Sequence, residues 1–260
     1  MKISIIIPAH NEEERIGRTL FTYLKFFKSL KKQGDLDFEI IVVINNTRDK
    51  TEEIVKSYSK ENKEIKYLVY KDGGKGFAII KGFEDSLKRH NDLIGFVDAD
   101  MATAPEHFYW LIKYLGKNHG AIASRGLKKS IVKTSLKRKI THKGFNFLVR
   151  SLLFLPYSDT QCGAKIFKRE AIEKIVNELG ITQWGFDVDL LYRLRKTRFN
   201  KIIEIPTVWE DMEGSKLNLK SVPIRMFAMV VRLRLINSPF KDFIRLYDKM
   251  PEKIKFHHKI

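Results

Sequence analysis

The chain has 260 residues, 43% of them apolar, which suffices for one large α/β domain with a real core and excludes a disordered polymer. Lysine and arginine outnumber the acids 49 to 31, a formal charge of +18, so an anionic partner is expected: nucleic acid, an acidic lipid surface or a phosphorylated substrate. The single cysteine, Cys162, excludes an intrachain disulfide and argues against structural zinc.

Met1-Lys2 lead straight into an apolar run with no secretory leader. No window reaches the roughly 20 uncharged apolar residues that a spanning helix needs. These features set the expectation of a cytoplasmic protein, soluble or peripheral to a membrane.

Taken in order, Ile3 to Ile7 is a β-branched run ending at Pro8 and reads as a central parallel strand. Pro8-Ala9-His10-Asn11-Glu12-Glu13 is a loop into a helix whose first turn carries acids, as the macrodipole prefers. Leu20, Tyr23, Leu24, Phe27 and Leu30 give that helix an apolar face at helical spacing. A second strand, Phe38 to Ile44, ends in the polar turn Asn45-Asn46-Thr47-Arg48-Asp49, and a helix runs from about Lys50 to Ser59. Ile65 to Tyr70 is a third strand, followed by the turn Asp72-Gly73-Gly74-Lys75-Gly76 and a helix from near Phe77.

The fourth strand, Leu93 to Val97, runs into Asp98-Ala99-Asp100. In extended chain, alternation puts both carboxylates on one side. Two carboxylates at a strand end, with no adjacent His or Cys, suit a hard divalent cation and its phosphate ligand. The other reading of the same residues is a plain polar turn. A helix from Pro105 through Trp110 to Leu115 and a fifth strand, Ala121 to Ser124, complete an alternation of strand and helix. That alternation predicts a parallel, doubly wound sheet with ligands at the strand C-terminal ends, where every motif above falls.

Beyond Arg125 the composition shifts. Lys128, Lys129, Lys133, Lys137, Arg138, Lys139 and Lys143 accumulate, then an apolar and aromatic stretch runs from Phe145 to Tyr157. A helix is expected from about Arg169 to Leu179 and another from Trp184-Gly185-Phe186-Asp187 to about Lys196. Lys201 to Trp209 reads as extended, Gly214-Ser215-Lys216 as a loop, and Val222 to Ile236 as a last helix mixing apolar residues with arginines.

Pro8 to Glu13, the Lys75-Gly76 turn and Asp98-Ala99-Asp100 together resemble the inverting family 2 nucleotide-sugar glycosyltransferases. Asp159-Thr160-Gln161-Cys162-Gly163, the stretch from Trp184 to Leu190 and Gly214-Ser215-Lys216 look like the dolichyl-phosphate glucosyltransferase branch, kin of the dolichyl-phosphate mannose synthases. The resemblance spans about Ile3 to Ile236. It implies a GT-A fold: a Rossmann-like, mostly parallel sheet flanked by helices, with C-terminal amphipathic helices. It places the transferase domain at 1–217, with a basic amphipathic acceptor or membrane element at 128–157, and an amphipathic helix and basic tail at 218–260.

The resemblance further implies metal-dependent, inverting transfer of a hexose from a nucleotide sugar to a polyprenyl phosphate. UDP-glucose is the expected donor and GDP-mannose the alternative. Pro8, His10, Glu12 and Asn45 would line the base and ribose. Asp98 and Ala99 would sit against the nucleotide, and Asp100 would hold Mg²⁺ or Mn²⁺. Lys75, Arg125 and Lys216 would face the phosphates, Asp187 falls where the family places a catalytic base, and Gln161, Cys162, Trp184 and Ser215 would shape the sugar and acceptor pocket. One departure stands out: Ile44-Asn45 replaces the family's two adjacent aspartates. Each residue also has a structural reading: Glu12 as a first-turn acid, Asp187 as a helix cap, the basic runs as solvated faces. A soluble phosphorylated or glycan acceptor is the competing enzyme reading. A nucleic-acid partner, suggested by charge alone, is not expected, because the strand-end acids repel phosphates unless a cation bridges them.

Overall fold

Apolar runs rich in β-branched residues form the centre of the molecule, because such side chains fit a sheet buried on both faces. The structure, a computed structural model, describes residues 1–180, 185–210 and 222–238. Nine strands are present among these residues: β1 (Lys2–Ala9), β2 (Asp37–Asn45), β3 (Ile65–Tyr70), β4 (Leu93–Phe96), β5 (Gly120–Ser124), β6 (Ile131–Lys133), β7 (Lys165–Lys168), β8 (Ile202–Pro206) and β9 (Val208–Glu210). Seven make one sheet in the order β3-β2-β1-β4-β7-β5-β8, and β6 pairs with β9 in a second, two-stranded sheet.

The helices are α1 (Ile16–Lys32), α2 (Thr51–Glu61), α3 (Lys75–Lys88), α4 (Pro105–Tyr114), α5 (Leu136–Leu153), α6 (Arg169–Ile175), α7 (Phe186–Arg195) and α8 (Val222–Ile236). Tyr23, Phe27, Phe38 and Phe108 meet in stacked and edge-on contacts on one face of the sheet, and Phe83, Phe96 and Phe186 do so as a second group. Gly82 lets α3 approach β1, since a Cβ there would lie 2.5 Å from the Ile6 side chain.

Four sequence expectations are corrected. The sheet is not wholly parallel: β7 runs antiparallel to both β4 and β5, with Gly95 opposite Ile166 and Ala121 opposite the same residue. Asp98 and Asp100 are not in a strand, because β4 ends at Phe96 and both lie in the turn that follows. The basic stretch contributes a strand of its own, β6, in register with β9. Lys75 opens α3 rather than preceding it.

Two compact units divide the chain. One is Met1–Lys133 with Ser158–Met212, and the other is Thr134–Tyr157 with Glu213–Ile260. The first holds the sheet. In the second, α5 packs on α8, with Asn146, Val149 and Leu153 buried on α5 and Val230 and Leu233 buried on α8. Ser135 caps α5 by accepting from the Arg138 N–H, and Phe154 ends it in the left-handed region at φ 54°.

Gly95 sits where β4 meets β7, and a Cβ there would stand 2.5 Å from the Lys165 carbonyl oxygen. Gly95→Ala is therefore expected to destabilise the fold by about 2 kcal/mol through backbone displacement, read as a lower urea midpoint at unchanged slope.

Candidate active site

Loops at the C-terminal ends of β1, β2, β3 and β4 converge, as the sheet geometry requires. The loop after β1 is tied to the loop after β2. His10 Nδ1 lies 2.9 Å from the Asn45 carbonyl, the Glu12 N–H donates to Thr51 Oγ1 at 2.7 Å, and the Arg48 N–H donates to Asn11 Oδ1 at 2.8 Å. Asp49 accepts from the Glu13 N–H and from Thr51, and Glu13 accepts from the Lys50 N–H. Pro8 is partly exposed beside this pair of loops and His10 is exposed. The Glu12 carboxylate is paired with Arg15 at 2.6 Å, while its carbonyl accepts from Arg15 and Ile16 at the start of α1.

Asn45 is buried. With its amide oriented to satisfy both neighbours, Nδ2 donates to the Ala9 carbonyl at 3.0 Å and Oδ1 accepts from the Gly74 N–H at 2.9 Å. It thus joins the end of β1 to the turn that delivers Lys75. Asn46 follows at φ 47°, one of the few non-glycine residues in the left-handed region.

The turn after β4 is held from α1. Thr19 Oγ1 donates to the Ala99 carbonyl at 2.6 Å, and Tyr23 Oη donates to the Thr103 carbonyl at 2.8 Å. Met101 at φ 63° bends the chain back so that the Ala102 N–H donates to Asp100 Oδ1 at 3.0 Å. This turn, rather than strand alternation, sets the two carboxylates. Ala99 between them is buried, whereas Asp98 and Asp100 are both partly exposed. Burial first, and the neighbouring Asp98 charge second, push the Asp100 carboxyl above its ordinary pKa; the Ala102 N–H, Lys75 and Arg15 act against the shift.

Lys75 Nζ meets Asp98 Oδ1 at 2.6 Å. Burial works against its charge, yet Asp98, Asp187 and Asp100 together raise its pKa well above the usual lysine value. One ammonium therefore answers three carboxylates drawn from two distant stretches of sequence. Asp187, in the first turn of α7, is itself buried and paired with Lys165 at 2.5 Å.

Arg125, just past β5, is bound by Asp159 through its Nε at 2.7 Å, its Nη2 at 3.1 Å and its backbone N–H at 3.0 Å. Its guanidinium lies 5.0 Å from the Trp209 ring centre. Asp159 is held in turn: Glu204 accepts from the N–H groups of Ser158 and Asp159 and from Ser158 Oγ. The N–H of the partly exposed Gln161 donates to Asp159 Oδ1 at 3.0 Å. Cys162 is fully buried, and burial pushes its thiol up to about 11, which makes it a packing residue at neutral pH. Trp184, Ser215 and Lys216 lie outside the described residues.

Sequence reasoning missed three residues. Asp159 is the anchor of Arg125, although the motif containing it was visible. Gly163 touches Asp98, since a Cβ on it would lie 1.8 Å from Asp98 Oδ2. Lys165 is the partner of Asp187. The available signal for the last was a lysine opening the short run Lys165-Ile166-Phe167-Lys168 immediately after Cys162-Gly163-Ala164.

A mostly parallel sheet with one inserted antiparallel strand, and an aspartate pair in the turn beyond a central strand, define a transferase of the GT-A fold. The family model described as "Glycosyl transferase family 2" matches residues 4–176, and the chain belongs to that family. It is 33% identical over 245 residues to the dolichyl-phosphate beta-glucosyltransferase of Dictyostelium discoideum, covering 89% of this chain and 73% of that one. It is 34% identical over 229 residues to the human protein of the same name, covering 83% of this chain and 69% of that one. Among solved structures, glucosyl-3-phosphoglycerate synthase from Mycobacterium tuberculosis, in complex with Mn²⁺, UDP and glucosyl-3-phosphoglycerate, superposes with a TM-score of 0.63 at 18% identity. That match covers 91% of this chain and 79% of the other, and it bears on the fold.

Gly163→Ala is expected to push the Asp98 carboxylate out of place. A displacement of this kind costs on the order of 100-fold in turnover when a reacting group is misaligned. Steady-state kinetics beside an unchanged far-UV spectrum is the check.

Proposed function

We propose that this chain transfers glucose from UDP-glucose to dolichyl or another polyprenyl phosphate, with inversion, on the cytoplasmic face of a membrane. The observation that carries the reading is the Lys75–Asp98 pair at the rim of the sheet, with Asp187 and Asp100 near enough to act on the same ammonium, in a chain whose curated relatives bear that activity in their names.

In such a transfer an acceptor phosphate oxygen forms a bond to the anomeric carbon from one face. The bond from that carbon to the donor diphosphate breaks on the other, and its electron pair leaves with UDP. A phosphate monoester has a second pKa near about 6, so the acceptor is already largely dianionic at neutral pH. Asp187 therefore serves to orient sugar or acceptor rather than to remove a proton. Lys75 and Arg125 face the donor phosphates, the latter aimed by Asp159 and Trp209. Pro8, His10 and Glu12 line the base and ribose, and Asn45 supports that pocket from beneath through its ties to Ala9 and Gly74. Gln161 borders the sugar, and Cys162 packs behind it.

The residues fit a divalent cation. Among the described residues no group of three or more His, Cys, Asp or Glu could hold a metal by itself. Mg²⁺ is commonly held by one or two carboxylates with the remaining positions filled by substrate phosphates and water, and Asp100 is a partly exposed carboxylate of that kind. Bound there, Mg²⁺ or Mn²⁺ would supply Lewis-acid neutralisation of the leaving diphosphate.

The membrane part of the reading rests on α5. Leu136, Ile140 and Phe147 of α5 are exposed at spacings of four and seven residues, which place them on one side of the helix. Lys137, Lys139, Lys143 and Arg150 are exposed on the same helix. Apolar side chains flanked by cations suit an anionic interface, at about 1 kcal/mol per basic residue near the surface. No helix among the described residues is long and apolar enough to cross a membrane.

Incubation with labelled UDP-glucose, Mn²⁺ and a polyprenyl phosphate should put the label in the organic phase after lipid extraction, and Asp100→Ala should abolish this transfer. Label found only in water-soluble product would assign a soluble acceptor instead. In flotation with phosphatidylserine-containing vesicles, the double variant Ile140→Glu, Phe147→Glu should lower the bound fraction about fivefold or more. Unchanged flotation would remove α5 from the membrane contact.

A further inference from the structure

Lys165 opens β7, a strand flanked on both sides in the main sheet, and its side chain is wholly buried. A lysine in that position is rare, because an ammonium loses its hydration there unless it is fully partnered. The partners are present. Nζ donates to Asp187 Oδ1 at 2.5 Å and to the Cys162 carbonyl at 2.6 Å, and it lies 5.3 Å from the centre of the Phe96 ring. These contacts come from three places: the start of α7, the loop before β7, and β4.

Stability does not account for this pair. Apolar residues of matching volume commonly replace a buried ion pair at no loss. What the pair supplies is direction. Asp187 has two carboxylate oxygens, and Lys165 takes one of them. Among the described residues Oδ2 accepts no hydrogen bond, and the Lys75 ammonium, itself paired with Asp98, is near enough to act on the same carboxylate. The β-strand fixes where Lys165 stands, and Lys165 fixes which oxygen of Asp187 is spent inside the protein.

We propose that Lys165 is a positioning residue for the transfer reaction: its buried ammonium holds Asp187 Oδ1 so that Oδ2 is the oxygen presented to the sugar or acceptor. The proposal rests on the reading of Asp187 as a member of the transfer site.

The test is a double-mutant cycle of Lys165→Met and Asp187→Asn, with turnover from UDP-glucose to a short polyprenyl phosphate, donor KM, UDP affinity by calorimetry with Mn²⁺, and melting temperature. Lys165→Met alone should lower kcat about tenfold or more with donor KM changed less than about twofold, and in the Asp187→Asn background it should cost nothing further. Lys165→Arg, which keeps the charge, should recover part of the loss. A folded Lys165→Met with wild-type kcat would overturn the proposal, as would equal losses in both backgrounds, which mark a purely structural lysine. Full activity in Asp187→Asn would instead strike out the reading of Asp187, and the proposal with it. Should Lys165→Met fail to fold, the double variant, which removes both charges, is compared with Asp187→Asn: equal kcat supports the proposal, and a much lower one overturns it.

Discussion

Like charges gathered at one rim repel, and this molecule brings the carboxylates of Asp98, Asp100 and Asp187 within the field of one lysine. Lys75 is the resident answer to that repulsion. It pairs directly with Asp98 and feels Asp187 and Asp100, and their combined field outweighs the desolvation that would otherwise discharge it. The surrounding structure keeps the acids from relaxing apart. Thr19 and Tyr23 on α1 grip the turn that carries Asp98 and Asp100, Met101 accepts a left-handed backbone to close it, and Gly163, lacking a Cβ, leaves room for the Asp98 carboxylate against its backbone. Asp100 is disfavoured as an anion by burial and by its neighbour Asp98.

A single stretch, Asp159 to Lys165, aims three functional groups. Asp159 clamps Arg125, Gly163 abuts Asp98, and Lys165 binds Asp187. The stretch can do so because it runs against the direction of its neighbours. An antiparallel strand between β4 and β5 brings its start to the end of the sheet where those strands finish, and the loop before it arrives among their C-terminal turns. A parallel strand in the same slot would deliver its following loop there instead. The aspartate-bearing turn of this chain is thus met by a strand inserted with reversed polarity.

Much of this was legible in the sequence. Predominantly apolar runs at 3–7, 38–44, 65–70 and 93–97 gave β1 to β4, and the polar residues closing each run gave the rim. The aspartate pair stood out because two carboxylates one residue apart follow directly on an apolar run, 93–97. Strand polarity was not legible: Lys165-Ile166-Phe167-Lys168 is four residues long, and local periodicity carries no sign for direction. Pairings were hidden for a related reason. Arg125 and Asp159 are 34 residues apart and Lys165 and Asp187 are 22 apart, so in a chain this rich in both signs no spacing singles them out. Asn45 was read as facing a base, whereas its amide serves backbone on either side, a role visible only once β1 and the turn before α3 are neighbours.

The reversed strand also governs the order in which the protein can be made. A ribosome that has released the first 150 residues has supplied β3, β2, β1 and β4, which already pair with one another in parallel. It has also released β5, whose two neighbours, β7 and β8, are both still to come. Until they arrive, β4 has one bare edge and β5 has two, each a template for wrong pairing with another chain. Synthesis of β7 closes the edge of β4 and one edge of β5 together and brings Asp159, Gly163 and Lys165 to the rim, with Asp187 on α7 still to follow. The nascent half-sheet is thus both the most aggregation-exposed form of this protein and an inactive one, so glycosyl transfer begins only when that hazard ends.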